Sequence, residues 1–401
     1  MRGSRAAIGF IMVTVAVEVL SFGLIIPVLP QLVESFTGGD TADAARWYGL
    51  FGTAWALMQF LCMPLAGALS DRFGRRPVVL AGSLGIGLDY VLMAVAPNLW
   101  WLLVGRVISG ALTATVSTAF AYIADVTPAE RRAQAFGTVG VAFGAGFVLG
   151  PALGGLLGAA DPRLPFWVAA ALALVNFAYG ALVLPESLPP ERRAALSLGH
   201  ANPLGALGLL RARPGLLGLA GVHFLRMLAH VVLPSVTVLY AGYRYGWGPR
   251  EIGLMLAGVG VCAAVVQGAL VGPVVARIGE WRALLAGLGC GAAGLLGLGL
   301  APSGLLFCAA IPVMAFGDLA GPAMQGLATR RVEPSEQGRL QGAFGSLQGI
   351  AGLIGPGLFT LAFAAAIAPG AGFQLPGAPF LLAALLLLAG LGLAAATAPE
   401  G

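Results

Sequence analysis

The 401-residue sequence has few charged residues and contains no lysine. Only 10% of its residues are charged, whereas an ordinary soluble domain has roughly 25%. A soluble globule of this length could not cover its surface with so few charges, and hydrophobic residues make up 58% of the chain. The composition therefore excludes a soluble globule, a disordered chain and a small disulfide-rich secreted domain. It predicts an integral membrane protein.

Cysteine is scarce as well. The four cysteines all fall inside apolar segments and show no paired metal-ligand spacing: Cys62, Cys262, Cys290 and Cys308. We interpret them as small core residues, so the sequence predicts no disulfide framework, no metal site and no cofactor. The net charge of +5 comes from arginines at the edges of apolar stretches. This placement argues against a nucleic-acid partner.

Twelve stretches are apolar and long enough to cross a bilayer, which takes about 20 residues. They lie at 6–29, 46–69, 78–96, 99–123, 132–158, 164–184, 214–242, 250–275, 282–301, 304–329, 337–367 and 377–397. The predicted fold class is an all-α integral membrane protein with twelve transmembrane helices, numbered here in chain order as predicted helices 1 to 12.

The arginines predict the orientation. With both termini inside, sixteen arginines lie at cytoplasmic loops and ends, and only four lie outside: Arg46, Arg163, Arg244 and Arg250. This asymmetry follows the positive-inside rule. We therefore expect a multi-pass protein of the cytoplasmic (inner) membrane with both termini in the cytoplasm.

The longest polar connection, residues 185–213, divides the helices six and six. The predicted domains are a bundle at 1–184, this cytoplasmic linker and a second bundle at 214–401. An internal repeat with a shift of 205 residues supports the division: Gly67-x4-Arg72-x-Gly74 recurs as Gly272-x4-Arg277-x-Gly279, and Gly150-Pro151 recurs as Gly355-Pro356. Two pseudo-symmetric six-helix halves are typical of alternating-access transporters.

Ionisable residues at the centres of membrane helices cost at least about 2.5–3.5 kcal/mol each on insertion scales, so each needs a reason. Five occur here: Glu18, Asp89, Arg106, Arg226 and Asp318. One reason is structural, such as an Asp–Arg bridge that locks two helices. The other is functional, because a desolvated carboxylate binds and releases protons near neutral pH.

Proton coupling is predicted for three of these acids. Glu18 is the first candidate because it lies mid-helix and the repeat places His223 at the equivalent position. Asp89 is the second. Asp318 lies in the Gly-rich segment Phe-Gly-Asp-Leu-Ala-Gly-Pro and serves either coupling or helix packing.

Predicted helix 7 carries further cavity candidates. His223 and His230 are seven residues apart on one helix face and flank Arg226. A membrane histidine also occurs as a hydrogen-bonded structural group, so titration and structure stay open for both. The arginine could bind an anion.

A dense Gly/Asp/Arg pattern follows predicted helix 2: Gly67-Ala-Leu-Ser-Asp71-Arg72-Phe-Gly74-Arg75-Arg76. Glycines permit a tight turn there, and Asp71 can face a helix N-terminus and a neighbouring arginine. The pattern predicts a gating loop, a charge-assisted latch that breaks when the two halves rock. The alternative is a solvated topology signal.

This loop resembles the signature loop of the major facilitator superfamily, and Arg106 in Gly105-Arg106-Val-Ile-Ser-Gly110 resembles its helix-4 arginine. The segment Gly144-Ala-Gly146-Phe-Val-Leu-Gly150-Pro151-Ala-Leu-Gly154-Gly155 is similar to the helix-5 motif of the antiporter branch. Closer still, Gly23-Leu-Ile-Ile-Pro27-Val-Leu-Pro30, Ala56-Leu-Met-Gln59, Leu88-Asp89-Tyr90 and Ile123-Ala-Asp125 resemble the tetracycline efflux proteins. The resemblance implies an exporter of a metal-chelated drug that is driven by proton entry.

The same resemblance implies roles for single residues. Glu18 stands where the family has an intramembrane Asp, Gln59 and Gln267 match polar cavity residues, and Asp125 matches an acid at the end of helix 4. The chain departs from the family in its second half. The helix-8 His position is Ala263 and the helix-9 Asp position is about Gly291, which shifts the coupling to Glu18, Asp89, Asp318 and predicted helix 7.

We therefore predict a proton-coupled exporter of amphipathic drugs that works by alternating access, with tetracycline-like compounds as the first candidates. Its expected partners are a small drug, protons and the bilayer, and we expect a monomer. The alternative within transporters is a carrier of a metabolite such as a sugar or an organic anion. An enzyme is not expected, because the sequence has no extramembrane domain, no paired metal spacing and no nucleophile or phosphate-binding motif.

Overall fold

The computed structural model describes residues 2–113, 115–128, 132–193, 207–212, 214–333, 336–368 and 374–397. The chain is all-helical, at 88%, and the described residues contain no β-strand. Helices suit a chain in lipid because every backbone N–H and C=O is bonded within its own segment. Of the arginines counted for orientation, Arg131 and Arg213 lie outside the described residues, as do residues 194–206 of the predicted linker.

The first described helices are α1 (Arg2–Ile25), α2 (Leu29–Phe36), α3 (Thr41–Phe73), α4 (Arg75–Val95), α5 (Leu99–Leu112), α6 (Thr115–Val126), α7 (Arg132–Ala160) and α8 (Leu164–Val183). They are followed by α9 (Gly208–Ala212), α10 (Pro214–His230), α11 (Val232–Tyr245), α12 (Pro249–Val265), α13 (Val271–Leu300), α14 (Gly304–Ala315), α15 (Ala320–Thr329), α16 (Gln337–Ile367) and α17 (Ala378–Ala396).

Ten stretches within the described residues are long and apolar enough to cross a membrane. One of them, Pro249–Leu300, runs for 52 residues and includes two of the predicted spans. Leu99–Leu112 is a shorter apolar helix. The all-α membrane class is thus confirmed, whereas the count of twelve and the division into two halves stay predictions.

Several spans predicted as single helices are broken in the structure, and prolines explain three of the breaks. The span 6–29 ends at Ile25, two residues before Pro27. The span 214–242 breaks between α10 and α11, because Pro234 has no N–H to donate to the carbonyl of His230 four residues earlier. In the same way Pro322 cannot bond the carbonyl of Asp318, and a 3₁₀ turn, Phe316–Leu319, separates α14 from α15.

Two further differences concern predicted helices 4 and 8. The span 99–123 divides into α5 and α6, with Thr113 capping α5 and residue 114 outside the described residues. The span 250–275 contains a π-helical turn, Val266–Leu270, between α12 and α13. A π turn widens the helix and is frequent at functional sites.

The repeated loops after predicted helices 2 and 8 both turn at a glycine in the left-handed region. Gly74 has φ +104° and Gly279, 205 residues later, has φ +80°. A side chain at either position would be strained, which explains why the repeat retains glycine there. The sequence repeat therefore has a counterpart in backbone conformation.

The helices group into two compact units. Unit 1 comprises residues 1–38, 54–202 and 248–257, and unit 2 comprises 39–53, 203–247 and 258–401. In unit 1, α1 packs against α7 and α8, and α4 packs against α5 and α8. In unit 2, α10 packs against α16 and α17, and α13 packs against α14 and α17. Because α13 and α16 contain the positions 205 residues beyond α4 and α7, and α10 and α17 overlap those beyond α1 and α8, each unit pairs its helices in the same way.

Candidate functional site

Two acidic side chains in unit 1 have buried carboxylate oxygens that lack a hydrogen-bond partner among the described residues. They are Glu18 on α1, whose Oε1 is unpartnered, and Asp89 on α4, whose two carboxylate oxygens are both unpartnered. Asp89 is only 2% exposed. Tyr90 lies within electrostatic range of both acids and of Arg106, which places the three ionisable groups in one region of unit 1.

Arg106 on α5 is buried but does not bond to Asp89. Its Nη2 donates to the sulfur of Met93 at 3.1 Å, and its Nε has no partner among the described residues. Gly105 makes room for this arrangement, since a Cβ there would lie 3.0 Å from Asp89 Oδ1 and 2.7 Å from Met93 Cγ. The structural alternative of an Asp–Arg bridge is therefore not formed between these two residues.

The helix-5 motif brings the backbones of α7 and α1 into contact. A Cβ on Gly150 would lie 2.7 Å from the Cα of Gly23 and 2.9 Å from the carbonyl oxygen of Leu20. One turn earlier, a Cβ on Gly146 would lie 3.1 Å from the Leu20 nitrogen, and one turn later a Cβ on Gly154 would collide with the carbonyl of Leu24. This small-residue face fixes the position of α1, and with it Glu18.

The same motif has a second face, which contacts α12. A Cβ on Gly155 would lie 2.8 Å from the Cα of Gly253, and one on Gly253 would collide with the carbonyl of Pro151. Unit 2 contains a related crossing, in which Pro356, the repeat of Pro151, meets Gly52 of α3. The motif is thus a two-sided packing surface on one helix.

The gating loop forms a network of ion pairs. Arg75 at the start of α4 pairs with Asp71 at 2.6 Å and with Asp125 at the end of α6 at 3.1 Å, and its Nη1 donates to Ser70 at 2.6 Å. The Arg75 side chain is 12% exposed, whereas that of Asp71 is 49% exposed. Arg75 is therefore the centre of the network, and Asp71 occupies its outer edge.

The other loop residues have separate positions. Arg76 Nη2 donates to the carbonyl of Ala181 at 2.8 Å, and Arg72 lies over the Phe73 ring at 5.4 Å. Gly67 has open space where a Cβ would lie, and its carbonyl accepts from Ser70. Arg76 thus ties the loop to α8.

Glu186 joins this network, although its position in a polar connection did not predict such a role. Its Oε1 accepts from the backbone N–H of Arg75 at 2.8 Å, of Ser187 at 2.9 Å and of Leu188 at 3.1 Å. The carboxylate therefore caps the N-terminus of α4, where the helix dipole favours a negative charge. A Cβ on Gly74 would collide with the Glu186 carboxylate. This position therefore requires glycine for lack of space as well as for its positive φ.

We expect Glu186→Ala to destabilise the protein by roughly 0.5–2 kcal/mol, because the first N–H groups of α4 lose their acceptor. The measurement is the thermal unfolding midpoint of the purified protein. Glu191→Ala, five residues further along the same connection, is the matched control and should leave the midpoint unchanged. Equal midpoints for the wild type and Glu186→Ala would show that the cap contributes no stability.

The repeated loop in the second half carries an ion pair in which the acidic and basic positions are exchanged relative to Arg75 and Asp125. Glu280 and Arg330, each 205 residues beyond Arg75 and Asp125, pair at 3.0 Å. Gly326 leaves the space that the Glu280 carboxylate occupies. The repeat has thus kept the ion pair and exchanged its charges, a relation that the 205-residue shift could have revealed from sequence.

We expect each of the single changes Glu280→Arg and Arg330→Glu to lower the stability of the protein. The double variant, which exchanges the two charges, should regain that stability. The pair is exposed at Arg330, so the coupling energy in a double-mutant cycle should be about 0.2–1 kcal/mol. Unfolding midpoints of the four proteins measure it. Additive effects of the two changes would mean that the side chains do not interact.

Unit 2 gathers polar side chains around Asp318. Gln267 of the π turn donates from Nε2 to Asp318 Oδ2 at 3.4 Å, and Arg226 and His230 of α10 both lie within electrostatic range of this carboxylate. The Arg226 Nε is buried without a partner among the described residues. The π turn and the 3₁₀ turn thus position the side chains of this group.

His223 belongs to a different environment on the same helix. Its ring stacks on Phe344 of α16, with centroids 4.3 Å apart and planes 14° from parallel. It is 8% exposed, and its Nε2 is buried without a partner among the described residues, whereas His230 is exposed at the end of α10. The two histidines predicted on one face therefore differ in burial. Gln59 is half-buried on α3.

Gly291, which the resemblance matches to the family's helix-9 acid, lies against the turn that carries Asp318. A Cβ on Gly291 would lie 3.3 Å from the Cα of Gly317, the residue before Asp318, and 3.0 Å from Leu387 Cδ1. A side chain there would be tight, because its neighbours would have to shift by a few tenths of an ångström. The close approach explains why α13 has glycine at this position.

Comparisons with known proteins show the family of this chain. A sequence model of the Major Facilitator Superfamily matches residues 11–356, and the chain belongs to this superfamily of transporters. It is 38% identical to the class C tetracycline resistance protein of Escherichia coli, over 90% of this chain and 91% of that protein. It is 35% identical to the class G protein of Vibrio anguillarum, over 88% of each chain.

Among solved structures, the chain is similar to the human organic anion transporter MFSD10 (TETRAN). The sequence identity is 26% and the TM-score is 0.69, with 98% of this chain and 99% of that chain covered. The chain is therefore a multi-pass integral membrane transporter of the major facilitator type.

Proposed function

We propose that this protein is a proton-coupled exporter of amphipathic drugs, with tetracycline-like compounds as the first candidates. The observation that carries the proposal is a pair of acids with buried, unpartnered carboxylate oxygens, Glu18 and Asp89, in a chain whose relatives are tetracycline resistance proteins. It acts in the cytoplasmic membrane as a monomer with twelve helices, in halves 1–184 and 214–401 joined by 185–213, and with both termini inside. The common helix pairing of the two units supports the two-half architecture.

Proton coupling follows from the cost of an unpaired charge in a buried site. A carboxylate with no hydrogen-bond donor is stable there as the neutral acid, and it ionises when water reaches it. Proton binding to Glu18 or Asp89 therefore favours one orientation of the halves, and drug binding favours the other. Because the proton and the drug each bind one state more tightly than the other, the transporter exchanges a proton for a drug molecule.

Asp318 supplies a third titratable group, in the second half. It replaces the missing helix-9 acid and helix-8 His of the related exporters, whose positions are Gly291 and Ala263 here. Support comes from Gly317 and Gly291, whose backbones are in contact, so Asp318 lies beside the position of the lost acid. Gln267 holds its carboxylate by one hydrogen bond.

The gating loop would bias the two states. The Asp71–Arg75–Asp125 network and the Glu186 cap join α3, α4, α6 and the residues after α8 in one state. Breaking these charge-assisted bonds allows the other state. The drug travels as substrate, with or without a chelated metal, and no resident cofactor is needed.

A second substrate class is favoured by one observation. Arg226 is a guanidinium with a buried, unpartnered Nε, and Gly321 leaves open the space beside it, 3.6 Å from Nη1 and Nη2. An organic anion would satisfy this donor, and a solved structure similar to this chain is an organic anion transporter. Uptake of organic anions into vesicles, with Arg226→Gln as the variant, separates this alternative from drug export.

The direct test is a drug panel against cells that express the chain, with tetracycline included. We expect tetracycline resistance and low intracellular drug, and a proton uncoupler should abolish the difference from cells without the chain. Equal drug accumulation with and without the chain, for every compound, would refute the proposed function.

A further inference from the structure

Two aromatic rings from different helices stack in unit 1 and stay partly uncovered. The ring centroids of Phe22 on α1 and Trp55 on α3 are 6.0 Å apart, and their planes differ by 26°. Phe22 is 39% exposed and Trp55 is half-buried. The two rings thus form one aromatic surface, which we call the Phe22–Trp55 surface.

The spacing of polar neighbours indicates that this surface faces away from lipid. Glu18 lies four residues before Phe22 on α1, and Gln59 lies four residues after Trp55 on α3, so each polar side chain shares a helix face with a ring. Polar side chains within membrane helices face the protein interior or a water-filled path. The Phe22–Trp55 surface therefore lies on the same faces as these two polar groups.

Trp55 is also too deep for an interfacial anchor. Aromatic belts occur where membrane helices meet the headgroups. Trp55 lies 14 residues after the start of α3 at Thr41, which at 1.5 Å per residue is roughly 21 Å along the helix. An anchoring role does not explain a tryptophan at that depth.

Backbone contacts hold both rings in place. Gly110 of α5 lies against Trp55, since a Cβ on Gly110 would collide with the Trp55 carbonyl and lie 3.0 Å from its Cα. Gly23, the neighbour of Phe22, meets Gly150, whose Cα would lie 2.8 Å from a Cβ on Gly23. Both ring-bearing segments are thus fixed before a ligand arrives, which lowers the entropic cost of binding.

We propose that the Phe22–Trp55 surface is a binding site for a flat, conjugated ring of the exported compound. The ring stacks on this surface, and its polar edge meets Glu18 on one side and Gln59 on the other. The favoured substrates are planar conjugated compounds with hydrogen-bonding groups along one edge. This inference rests on the proposed export function and adds the residues that bind the ring of the substrate.

The test compares tetracycline transport by Trp55→Leu, Phe22→Leu, Trp55→Phe and the wild type in reconstituted vesicles. Aromatic contacts of this kind change affinity by about 2- to 12-fold. We expect KM to rise by such a factor in both leucine variants, with the maximal rate retained, and to rise less in Trp55→Phe, which keeps a ring. Trp167→Leu on α8, which also removes a partly exposed tryptophan, should leave KM unchanged.

Unfolding midpoints and equilibrium dialysis of tetracycline on the purified proteins separate a loss of binding from a loss of folding. If Trp55→Leu does not fold, Phe22→Leu carries the test. Wild-type KM and affinity in the folded leucine variants would overturn the binding site while export stands. Failure of the wild type to transport or bind tetracycline would overturn the binding site, whereas failure to transport any compound of the drug panel would overturn the export function as well.

Discussion

Replacing Glu18 with Gln is expected to abolish proton-driven transport while leaving the fold intact. Gln has nearly the same shape but cannot exchange a proton, and Glu18 Oε1 is buried without a hydrogen-bond partner among the described residues. Gradient-driven tetracycline uptake into vesicles should fall by more than about 10-fold, toward that of empty vesicles. Equilibrium binding of tetracycline should stay within a few-fold of the wild type.

The matched control is Asp43→Asn, which removes an exposed carboxylate in a weak pair with Arg46 at 3.9 Å. Such surface pairs contribute little, so its transport should equal that of the wild type. Asp89→Asn tests the second acid by the same assay. Wild-type gradient-driven uptake by Glu18→Gln would remove Glu18 from the mechanism.

Replacing Gly154 with Val is expected to displace α1 and inactivate the transporter. The new Cβ would collide with the Leu24 carbonyl, which is backbone and cannot move aside as a side chain can. Overpacking of this kind costs roughly 1–3 kcal/mol. The unfolding midpoint should fall, and tetracycline uptake should drop by more than about 10-fold because Glu18 moves with α1.

Gly144 on the same helix supplies the control. A Cβ at Gly144 meets open space, with no atom within 4 Å. Gly144→Val should therefore keep both the midpoint and the uptake of the wild type. A wild-type midpoint for Gly154→Val would show that α7 and α1 do not pack as closely as the structure indicates.

The membrane class could be predicted from the sequence because long apolar stretches leave the chain no other fold. The interruptions inside these stretches were harder to place. Hydropathy is averaged over about a whole span, so the break after His230 and the turn at Asp318 left no signal in it, although Pro234 and Pro322 mark both. The grouping of 39–53 with unit 2 depends on tertiary packing, which no local pattern encodes.

Some residues of the candidate site could be predicted from the sequence and others could not. Glu18 and Asp89 stand out in sequence because a buried acid is costly, whereas Glu186 lies in a polar connection where acids are common. Its role depends on a turn that brings it to the N-terminus of α4, 111 residues away in the chain. Likewise, the hydrogen bond from Arg106 to Met93 could not be predicted, since a buried arginine is expected to pair with a carboxylate.

The central claim, exchange of protons for drug, is tested most directly by recording both fluxes in one preparation. Wild-type protein is reconstituted into vesicles with an acidic lumen, and tetracycline is added outside. We predict that tetracycline entry is accompanied by a faster loss of luminal protons than in vesicles without the protein. An uncoupler, which collapses the proton gradient itself, should stop tetracycline entry. Tetracycline entry without proton movement, or entry that the uncoupler leaves unchanged, would contradict the account.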